Sequence, residues 1–307
     1  MAWALALALI ASVACDHGAH GAGPVGSPTG PTPGVTETAG TGPPPVAHLV
    51  LILLENEEYS SVLGAKEAPY LNALADRSVL LTRYYGVGHP SLPNYLALAA
   101  GSTFGIESDC TSCHVAGPDL VDQLERNGVS WKAYMEGMPT PCYTGAGTDD
   151  YAKKHDPFVY FDDVRNDPER CGKVVPFGEL AADIAGHRLP AFAWITPDLC
   201  HDGHDCPVSA TDRWLRRWVP RITGALGTDG AVILVYDEGT SEAGCCGHAS
   251  GGHVLAVIAG PAARSGVRIA TRLDHYSVLR LVEDNWGLGR LGQAACPCTP
   301  SITGWRA

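Results

Sequence analysis

Apolar runs that alternate with helical patterns constrain the fold of this chain more than any other feature of its sequence. The clearest runs are "AHLVLILLE" at 47–55 and "GAVILVYDE" at 230–238, which are typical of strands buried on both faces. Further strands are predicted in "SVLLTRYYG", "VSWKAYM", "AFAWIT" and "GHVLAVIAG". Helices are predicted in "APYLNALADR", "SLPNYLALAAG", "LVDQLERNG", "FGELAADIAGH", "ATDRWLRRWVPRI" and "DHYSVLRLVEDNWGL". This alternation predicts an α/β fold with a mostly parallel central sheet and helices on both faces.

Polar side chains follow several of these strands at the point where each strand ends. Glu55 and Asn56 come directly after the first run, and Asp237 and Glu238 come directly after "GAVILVY". The strand "SVLLTRYYG" leads to Ser91, and "AFAWIT" leads to the polar loop "PDLCHDGHDC". Because ligands of such sheets bind at the carboxyl ends of the strands, we expect these groups to form one site.

A carboxylate at the rim of a buried strand is costly unless something neutralises it, and Glu55 follows six apolar residues. Seen alone, the acidic pair at 237–238 fits a solvated turn equally well. Taken together, the oxygen-bearing side chains suit one divalent ion, with Ca²⁺, Mg²⁺ or Mn²⁺ favoured over Zn²⁺. The predicted ligands are Glu55, Asn56, Ser91, Asp237 and Glu238.

Ser91 lies in "GVGHPSLPNYLALAAG", directly before the apolar part of a predicted helix. One interpretation is an N-cap, in which the hydroxyl accepts a helix N–H. The other is a nucleophile at a helix N-terminus, where free N–H groups attract a phosphate. The two interpretations predict the same local structure. A metal beside the hydroxyl would let Ser91 cap the helix and also act as the nucleophile. His89, two residues earlier, is a candidate for contact with the same anion.

Two other loops carry candidate substrate-binding groups. In "PDLCHDGHDC", Asp202 and His204 suit phosphate binding or protonation of a leaving group, although a surface loop closed by a disulfide has the same composition. In "YAKKHDPF", Lys154 and His155 suit an anion, whereas charged pairs of this kind are usually solvated. His275 opens the last predicted helix and is equally suited to packing or to the site.

Seven motifs, in this order, resemble the phosphoesterase family of bacterial phospholipases C and secreted acid phosphatases, within the alkaline phosphatase superfamily. They are "LLENEEYSSVLG", "APYLNALA", "HPSLPNYLALAAGSTFGI", "YAKKHDPF", "DGHDC", "VYDEG" and "DHYSVLRLVED". The resemblance covers nearly all of the chain from residue 47. The chain is similar in scale to the small secreted acid or phosphoinositide phosphatases. The segment "EAGCCGHASGG" at 242–252 matches no motif of the family.

The resemblance implies an alkaline-phosphatase-like three-layer sandwich and a serine nucleophile. It implies that Ser91 is that nucleophile and a fifth metal ligand, beside Glu55, Asn56, Asp237 and Glu238. It also implies phosphate contacts from His155 and His204. Two-zinc members of the superfamily have an Asp-His pair where this chain has Asp237-Glu238, and this departure favours a single ion.

The amino-terminal region predicts export. Residues 1–15 resemble a secretory signal, residues 16–46 form a Gly-, Pro- and Thr-rich tether expected to be disordered, and residues 47–307 form the phosphoesterase domain. Cys15 after "SVA" resembles a lipoprotein cleavage site, whereas Ser12 and Ala14 equally suit ordinary signal-peptidase cleavage. We therefore expect a secreted protein or one anchored to the outer face of the cell envelope, with a lipid on Cys15 as its membrane contact.

The eleven cysteines support a location in an oxidising compartment outside the cytoplasm, because removal of Cys15 leaves ten, an even number suited to disulfides. Cys200 and Cys206 flank a short loop and are candidates for a local pair. Zinc is the alternative, but neither "CTSC" at 110–113 nor "CPC" at 296–298 has a second CxxC or HxxxH half in the sequence.

Composition and motifs together predict a metal-dependent phosphatase. The net charge of −12 argues against nucleic-acid binding, which needs a basic face. We expect hydrolysis of phosphate monoesters, including a phosphorylated lipid headgroup, through a phosphoserine on Ser91, with His204 protonating the leaving group. The alternatives are a phospholipase C-type phosphodiesterase with the same nucleophile and, more remotely, a non-catalytic surface-binding lipoprotein.

Overall fold

Nine strands form one sheet in residues 44–307, the part of the chain that the computed structural model describes. The predictions for the signal sequence, for Cys15 and for most of the tether lie outside these residues. The strands are β1 His48–Leu54, β2 Val79–Tyr85, β3 Trp131–Met135, β4 Val174–Pro176, β5 Phe192–Thr196, β6 Gly230–Tyr236, β7 His253–Ala259, β8 Arg268–Ile269 and β9 Leu273–Asp274.

The sheet is mostly parallel, as the sequence predicts. Its order is β4-β3-β5-β1-β6-β7-β2-β8, and β9 also pairs with β2. At the centre, β1 runs parallel to both β5 and β6, with Leu54 opposite Tyr236 at the carboxyl ends. Strand β7 runs antiparallel to its neighbours β6 and β2, which the sequence does not predict.

Helices cover both faces of the sheet. Strands β5 and β6 are buried at every residue, as expected for strands between two helical layers. The helices are α1 Tyr59–Val62, α2 Pro69–Arg77, α3 Ser91–Ala100, α4 Leu120–Arg126, α5 Asp162–Arg165, α6 Pro168–Cys171, α7 Gly178–Ala185, α8 Val208–Ala225 and α9 His275–Trp286. Helices α2 and α7 pack on α8, and α3 packs on α9.

Short 3₁₀ segments at Lys153–His155, Pro157–Tyr160 and Gly292–Ala295 complete the regular structure. Within residues 44–307, no helix combines the length and the apolar character that crossing a bilayer requires.

Packing of the domain begins one residue before the predicted boundary at residue 47. Val46 is buried, its N–H donates to Oδ1 of Asn285 at 2.9 Å, and its carbonyl accepts from Nδ2 of Asn285 at 3.1 Å. The side-chain amide of α9 thereby fixes the residue that precedes β1. Val46 belongs to the domain, because an apolar side chain with both backbone groups bonded is not part of a disordered tether.

All ten cysteines of the described residues are paired; four pairs join cysteines at most 6 residues apart, and the fifth joins cysteines 29 residues apart. The pair Cys200–Cys206 is the one that the sequence suggests. The others are Cys110–Cys113, Cys142–Cys171, Cys245–Cys246 and Cys296–Cys298.

Candidate active site

Ser91 is the first residue of α3, and the cap position belongs to Pro90. Its Oγ donates to Oε2 of Glu55 at 2.9 Å and lies 3.4 Å from Oε1 of Glu238. The interpretation of Ser91 as an N-cap is wrong, because carboxylates engage the hydroxyl and no helix N–H does. Its role as nucleophile stays a prediction, and the hydrogen bond to Glu55 is the contact that would orient it.

Three carboxylates form the floor beneath Ser91. Because β1 and β6 pair in parallel, Glu55 and Asp237 follow at adjacent strand ends, and both are fully buried. Oδ1 of Asp237 accepts the N–H groups of Asn56 at 3.1 Å and Glu238 at 2.6 Å. Its Oδ2 is buried without a hydrogen-bond partner. Burial and the charges of Glu55 and Glu238 raise the pKa of Asp237 well above its usual range.

A buried histidine lies behind Glu55. His155 places Nε2 3.2 Å from Oε2 of Glu55 and Nδ1 3.2 Å from Oδ2 of Asp202. Burial disfavours its charge, but these two carboxylates outweigh burial and raise the pKa of His155 to about 9. Burial also opposes the charge of Glu55, yet His155, Tyr95 and Lys154 lower the pKa of Glu55. Glu55 is therefore held as an anion beside a cationic imidazole.

The partly exposed rim of the site carries a lysine, Lys154, and two histidines, His204 and His89. Lys154 donates to Oδ2 of Asp109 at 2.9 Å and to Nε2 of His204 at 3.1 Å. Because an ammonium only donates, Nδ1 of His204 carries the proton that it shares with Asp205 at 2.6 Å. His89 pairs with Glu238 through Nδ1. These groups are the ones that an entering anion would meet first.

Three of the predicted substrate-binding residues are buried beneath the site instead: His155, which lies between Glu55 and Asp202, together with His275 and Asp202 itself. Nδ1 of His275 lies 2.8 Å from the hydroxyl of Tyr84, and Nε2 lies 2.5 Å from the carbonyl oxygen of Asp237. Both nitrogens are thus engaged, and burial lowers the pKa of His275 to about 4. Asp202 is fully buried and accepts the N–H of His204 at 2.8 Å. Contact with substrate does not fit His155, Asp202 or His275, because each is buried and engaged with neighbouring residues.

Part of the predicted metal-ligand set meets in the structure. Glu55, Glu238 and Ser91 meet directly, and the unpartnered Oδ2 of Asp237 is a buried acceptor that a cation would satisfy. Asn56 follows β1 in a left-handed conformation, with φ of 63°. Glu55, His155 and Asp202 form a second arrangement, with one ligating atom each within 4.8 Å of the others. The first of these two sets offers only oxygen atoms, and such ligands suit Ca²⁺, Mg²⁺ or Mn²⁺.

Three residues of the site were not predicted from the sequence. Oδ1 of Asn94 accepts the N–H groups of Val87 at 2.8 Å and Gly88 at 3.1 Å, which shapes the loop before Ser91. The hydroxyl of Tyr95 donates to Glu55. Both follow Ser91 by three and four residues on the same helical face, a spacing that could have revealed them.

The third of these residues is Asp109, for which the sequence offers no periodic signal because it lies in a loop. Its Oδ1 accepts the N–H of Leu92 at 3.0 Å, so a side chain distant in sequence satisfies the helix end. Its Oδ2 holds Lys154. Asp109 therefore links Lys154, on the rim of the site, to the first turn of α3.

The segment 242–252 packs directly on the loop that leads to Ser91. The N–H groups of Ser250 and Gly251 donate to the carbonyls of Val87 at 3.0 Å and Gly86 at 2.9 Å, and Gly86 donates to Gly252 at 3.1 Å. A Cβ at Gly86 would lie 2.6 Å from the carbonyl oxygen of Gly251, so only glycine fits there. This contact fixes segment 242–252 next to the nucleophile loop.

Known structures identify the architecture. A protein in the alkaline phosphatase superfamily from Vibrio parahaemolyticus superposes with a TM-score of 0.53 over 83% of this chain and 72% of its own, at 14% identity. At this identity the likeness establishes the fold alone, and it confirms the predicted alkaline-phosphatase-like architecture.

The chain belongs to the phosphoesterase family, whose family model matches residues 61–289. This confirms the resemblance drawn from the motifs. A probable acid phosphatase of Kluyveromyces lactis is 31% identical over 256 residues, which cover 79% of this chain and 59% of that protein. A phosphatidylinositol-3-phosphatase of Mycobacterium tuberculosis is 30% identical over 257 residues, covering 82% of this chain and 80% of that protein. The chain spans about three fifths of the length of the acid phosphatases that it matches.

Proposed function

We propose that this chain hydrolyses phosphate monoesters through a phosphoserine formed on Ser91. One observation carries the proposal: the Ser91 hydroxyl, at the start of α3, is hydrogen-bonded at 2.9 Å to the buried Glu55. The site combines this oriented hydroxyl with the ammonium of Lys154 on the rim, as attack on a phosphate anion requires.

Glu55, Asn56, Asp237, Glu238 and Ser91 would hold one divalent ion. The unpartnered Oδ2 of Asp237 favours an added cation, and so do the charges of Glu55 and Glu238, which raise the pKa of Asp237. When bound, such an ion lowers the pKa of a neighbouring hydroxyl and neutralises phosphate charge. We favour Ca²⁺, Mg²⁺ or Mn²⁺, because carboxylate and amide oxygens are hard ligands.

The remaining steps use side chains of this chain. Ser91 Oγ forms the new bond to phosphorus while its proton passes to Oε2 of Glu55, and the bond from phosphorus to the ester oxygen breaks. The leaving alkoxide takes a proton from Nζ of Lys154, the neighbour of His204, because Nε2 of His204 accepts from this ammonium and carries no proton to give. Water then forms a bond to phosphorus and gives a proton to Nζ of Lys154, the bond from phosphorus to Oγ of Ser91 breaks, Oγ takes back its proton from Glu55, and inorganic phosphate leaves.

Several features favour monoesters over diesters. A terminal phosphate carries two charges at neutral pH, and Lys154 and His89 on the rim are the groups proposed to replace its hydration. A second bulky substituent on phosphorus would compete with these groups for the same positions. The relatives named as acid phosphatases and as a phosphatidylinositol-3-phosphatase support this substrate class, including a phosphorylated lipid headgroup.

The same chain is proposed to work outside the cytoplasm. Five disulfides occupy every cysteine of residues 44–307, and disulfides persist in oxidising compartments. The secretory pattern of residues 1–15 agrees with this location.

The test compares phosphate release from a monoester and a diester panel, before and after chelation of divalent ions. Wild-type protein should prefer monoesters and lose activity on chelation, and Ser91→Ala should be inactive. Ser60→Ala, which changes an exposed serine in α1, is the matched control and should keep full activity. Acid-quenched wild-type protein should carry phosphate on Ser91 by mass spectrometry. Equal or faster diester hydrolysis would instead favour the phospholipase C-type reaction, and activity in Ser91→Ala would exclude its role as nucleophile.

A further inference from the structure

The exposed face of α8 carries arginine and no acidic residue. Its exposed positions between residues 213 and 221 recur at the spacing of one helical face, and they are Arg213, Arg216, Arg217, Pro220 and Arg221. The acid of this helix, Asp212, is buried and accepts the N–H of Leu71 at 2.8 Å. In a chain with a net charge of −12, this face is a local concentration of positive charge.

These arginines are not neutralised by the protein itself. Within residues 44–307, the arginines that pair with carboxylates are other ones. Arg77, the last residue of α2, is likewise unpaired, and it lines a groove between α2 and α8 together with Pro220 and Thr223. The arginine face is defined here as Arg77, Arg213, Arg216, Arg217 and Arg221.

The two helices that pack on α8 offer no free carboxylate to this face. Asp76 is the acid of α2, and it accepts from Arg268 at 2.9 Å. Glu179 and Asp183 are the acids of α7, and both accept from Nζ of Lys132, at 2.6 Å and 2.9 Å. The arginine face therefore stays available to an anion from outside the protein.

Aromatic rings hold three of these guanidinium groups in place. Cζ of Arg217 and Cζ of Arg221 lie 5.4 Å and 5.2 Å from the centroid of the Trp218 ring. Cζ of Arg77 lies 5.3 Å from the centroid of the Tyr70 ring. A cation–π contact orients a guanidinium group without using its N–H donors, so these donors can still bind phosphate oxygens.

A groove beside the arginine face has room for a phospholipid headgroup. It has a volume of about 410 Å³, and its lining includes Arg213, Arg217 and Trp214. This volume lies in the range of ligand-binding pockets. Glu136 also lines the groove, but Nδ1 of His201 engages its carboxylate at 3.0 Å. The two arginines are thus the unpaired charges of the groove.

We propose that the arginine face docks on an anionic phospholipid bilayer. A bilayer presents many phosphates in one plane, which suits unpaired arginines along one exposed helix, and basic side chains near such a surface add to affinity. A protein partner would need a central aromatic or apolar anchor, whereas Trp214 and Trp218 are buried beneath the arginines. A nucleic acid would extend beyond this face, where the net charge of −12 opposes it.

Docking by this face would hold the catalytic edge of the sheet beside the lipid headgroups. Helix α8 begins at Val208, soon after His204 on the rim of the active site. For a phosphorylated lipid headgroup as substrate, this consequence rests on the proposed function. The docking itself does not, because the arginine face contains no residue of the active site.

The first experiment measures sedimentation of the full chain with phosphatidylcholine vesicles that contain or lack phosphatidylglycerol. Phosphatidylglycerol is anionic, but its phosphate is a diester and offers the active site no terminal phosphate. Wild-type protein should bind the anionic vesicles, and less tightly as the salt concentration rises. Each arginine should contribute about fivefold in affinity, so replacing all four arginines of α8 by glutamine should weaken binding at least roughly hundredfold.

A smaller variant covers the case in which the fourfold variant does not fold. Arg213→Gln/Arg216→Gln leaves the contacts of Trp218 intact and should weaken vesicle binding roughly twentyfold. Arg213→Lys/Arg216→Lys keeps both charges and should retain most of the binding. Arg83→Gln/Arg126→Gln removes two exposed arginines outside the arginine face, and this matched control should bind as wild type does.

Equal binding of wild-type protein to vesicles with and without phosphatidylglycerol would overturn the proposal, and so would equal weakening by the two glutamine double variants. Tighter binding to polyglutamate or to a single-stranded oligonucleotide than to vesicles would overturn it in favour of a protein or a nucleic acid. Ser91→Ala should bind vesicles as wild type does, and Arg213→Gln/Arg216→Gln should hydrolyse a soluble monoester as wild type does. Failure of the docking surface and failure of the proposed reaction are therefore distinguishable.

Discussion

Replacing Asp237 by asparagine should stabilise the metal-free protein and destabilise the metal-loaded protein relative to wild type. The amide retains an oxygen for the N–H groups of Asn56 and Glu238. The amide also replaces the unpartnered acceptor Oδ2 with an NH₂ group, which can donate to the neighbouring carboxylates. An unsatisfied buried polar atom costs about 1–3 kcal/mol, so Asp237→Asn should gain free energy of unfolding of this order in chelator.

The pH dependence of this difference follows from the sign of the pKa shift. Burial raises the pKa of Asp237 above its ordinary value of 3.8, so the metal-free native state binds its proton more tightly than the unfolded state does. The tighter binding of this proton stabilises the native state fully at pH values below 3.8. The stabilisation is lost as pH rises through the higher pKa that Asp237 has in the folded protein. The advantage of Asp237→Asn in chelator should therefore grow between acidic and neutral pH.

A bound ion should reverse the order of stability. An ion at 100 times its dissociation constant stabilises the native state by about 2.7 kcal/mol, and the variant should forgo most of this gain. The assay is thermal unfolding of both proteins in chelator and in each of Ca²⁺, Mg²⁺ and Mn²⁺, at roughly 2–4 °C per kcal/mol for a domain of about this size. Asp229→Asn, an exposed aspartate just before β6, is the control and should behave as wild type. A lower Tm of Asp237→Asn in chelator at neutral pH, or an equal ion-induced rise in both proteins, would refute the reasoning.

Three further predictions concern other contacts. Ser91→Ala should abolish turnover and lower the free energy of unfolding by about 1.5–3 kcal/mol, because it removes the hydrogen bond from the Ser91 hydroxyl to the charged, buried Glu55; an unchanged free energy of unfolding, seen by denaturant titration, would contradict this. Asp109→Asn should lower kcat/KM roughly tenfold or more by releasing Lys154, since a hydrogen bond to a charged group is worth about 1.5–3 kcal/mol; unchanged kinetics would remove Lys154 from the substrate-binding rim. Thiol titration of denatured, unreduced protein should find no free thiol in residues 44–307, whereas several would contradict the five pairs.

The sequence predicts the centre of the fold because burial and strand composition coincide there. The apolar runs of β1 and β6 are long and free of turn residues, so both strands and the acidic residues at their ends can be located without a structure. The direction of β7 cannot be predicted in this way. An apolar strand has the same composition whether it runs parallel or antiparallel to its neighbours, and only the sheet order reveals the difference.

Side-chain partners at the site were harder to predict than the strands. Ser91 next to an apolar helix matches the pattern of an N-cap, and nothing local shows that Glu55 takes the hydroxyl. Asp109 lies in a loop between α3 and α4, where no periodicity indicates which way a side chain faces. Likewise "CPC" has no second metal-binding half along the chain, but the fold places Cys298 beside His248. Contacts between residues this far apart depend on tertiary structure, which spacing in the sequence does not encode.

The reversed direction of β7 makes one connection of this fold unusually open to evolutionary change. Because β7 starts at the edge where β6 ends, residues 237–252 leave the sheet and return to it on the catalytic side. A parallel β7 would have required a crossover to the opposite edge. Residues can therefore be added to or removed from this connection without moving any strand, yet each change alters the wall beside the nucleophile. For protein engineers this makes 240–250 a place to graft loops that select among phosphate esters.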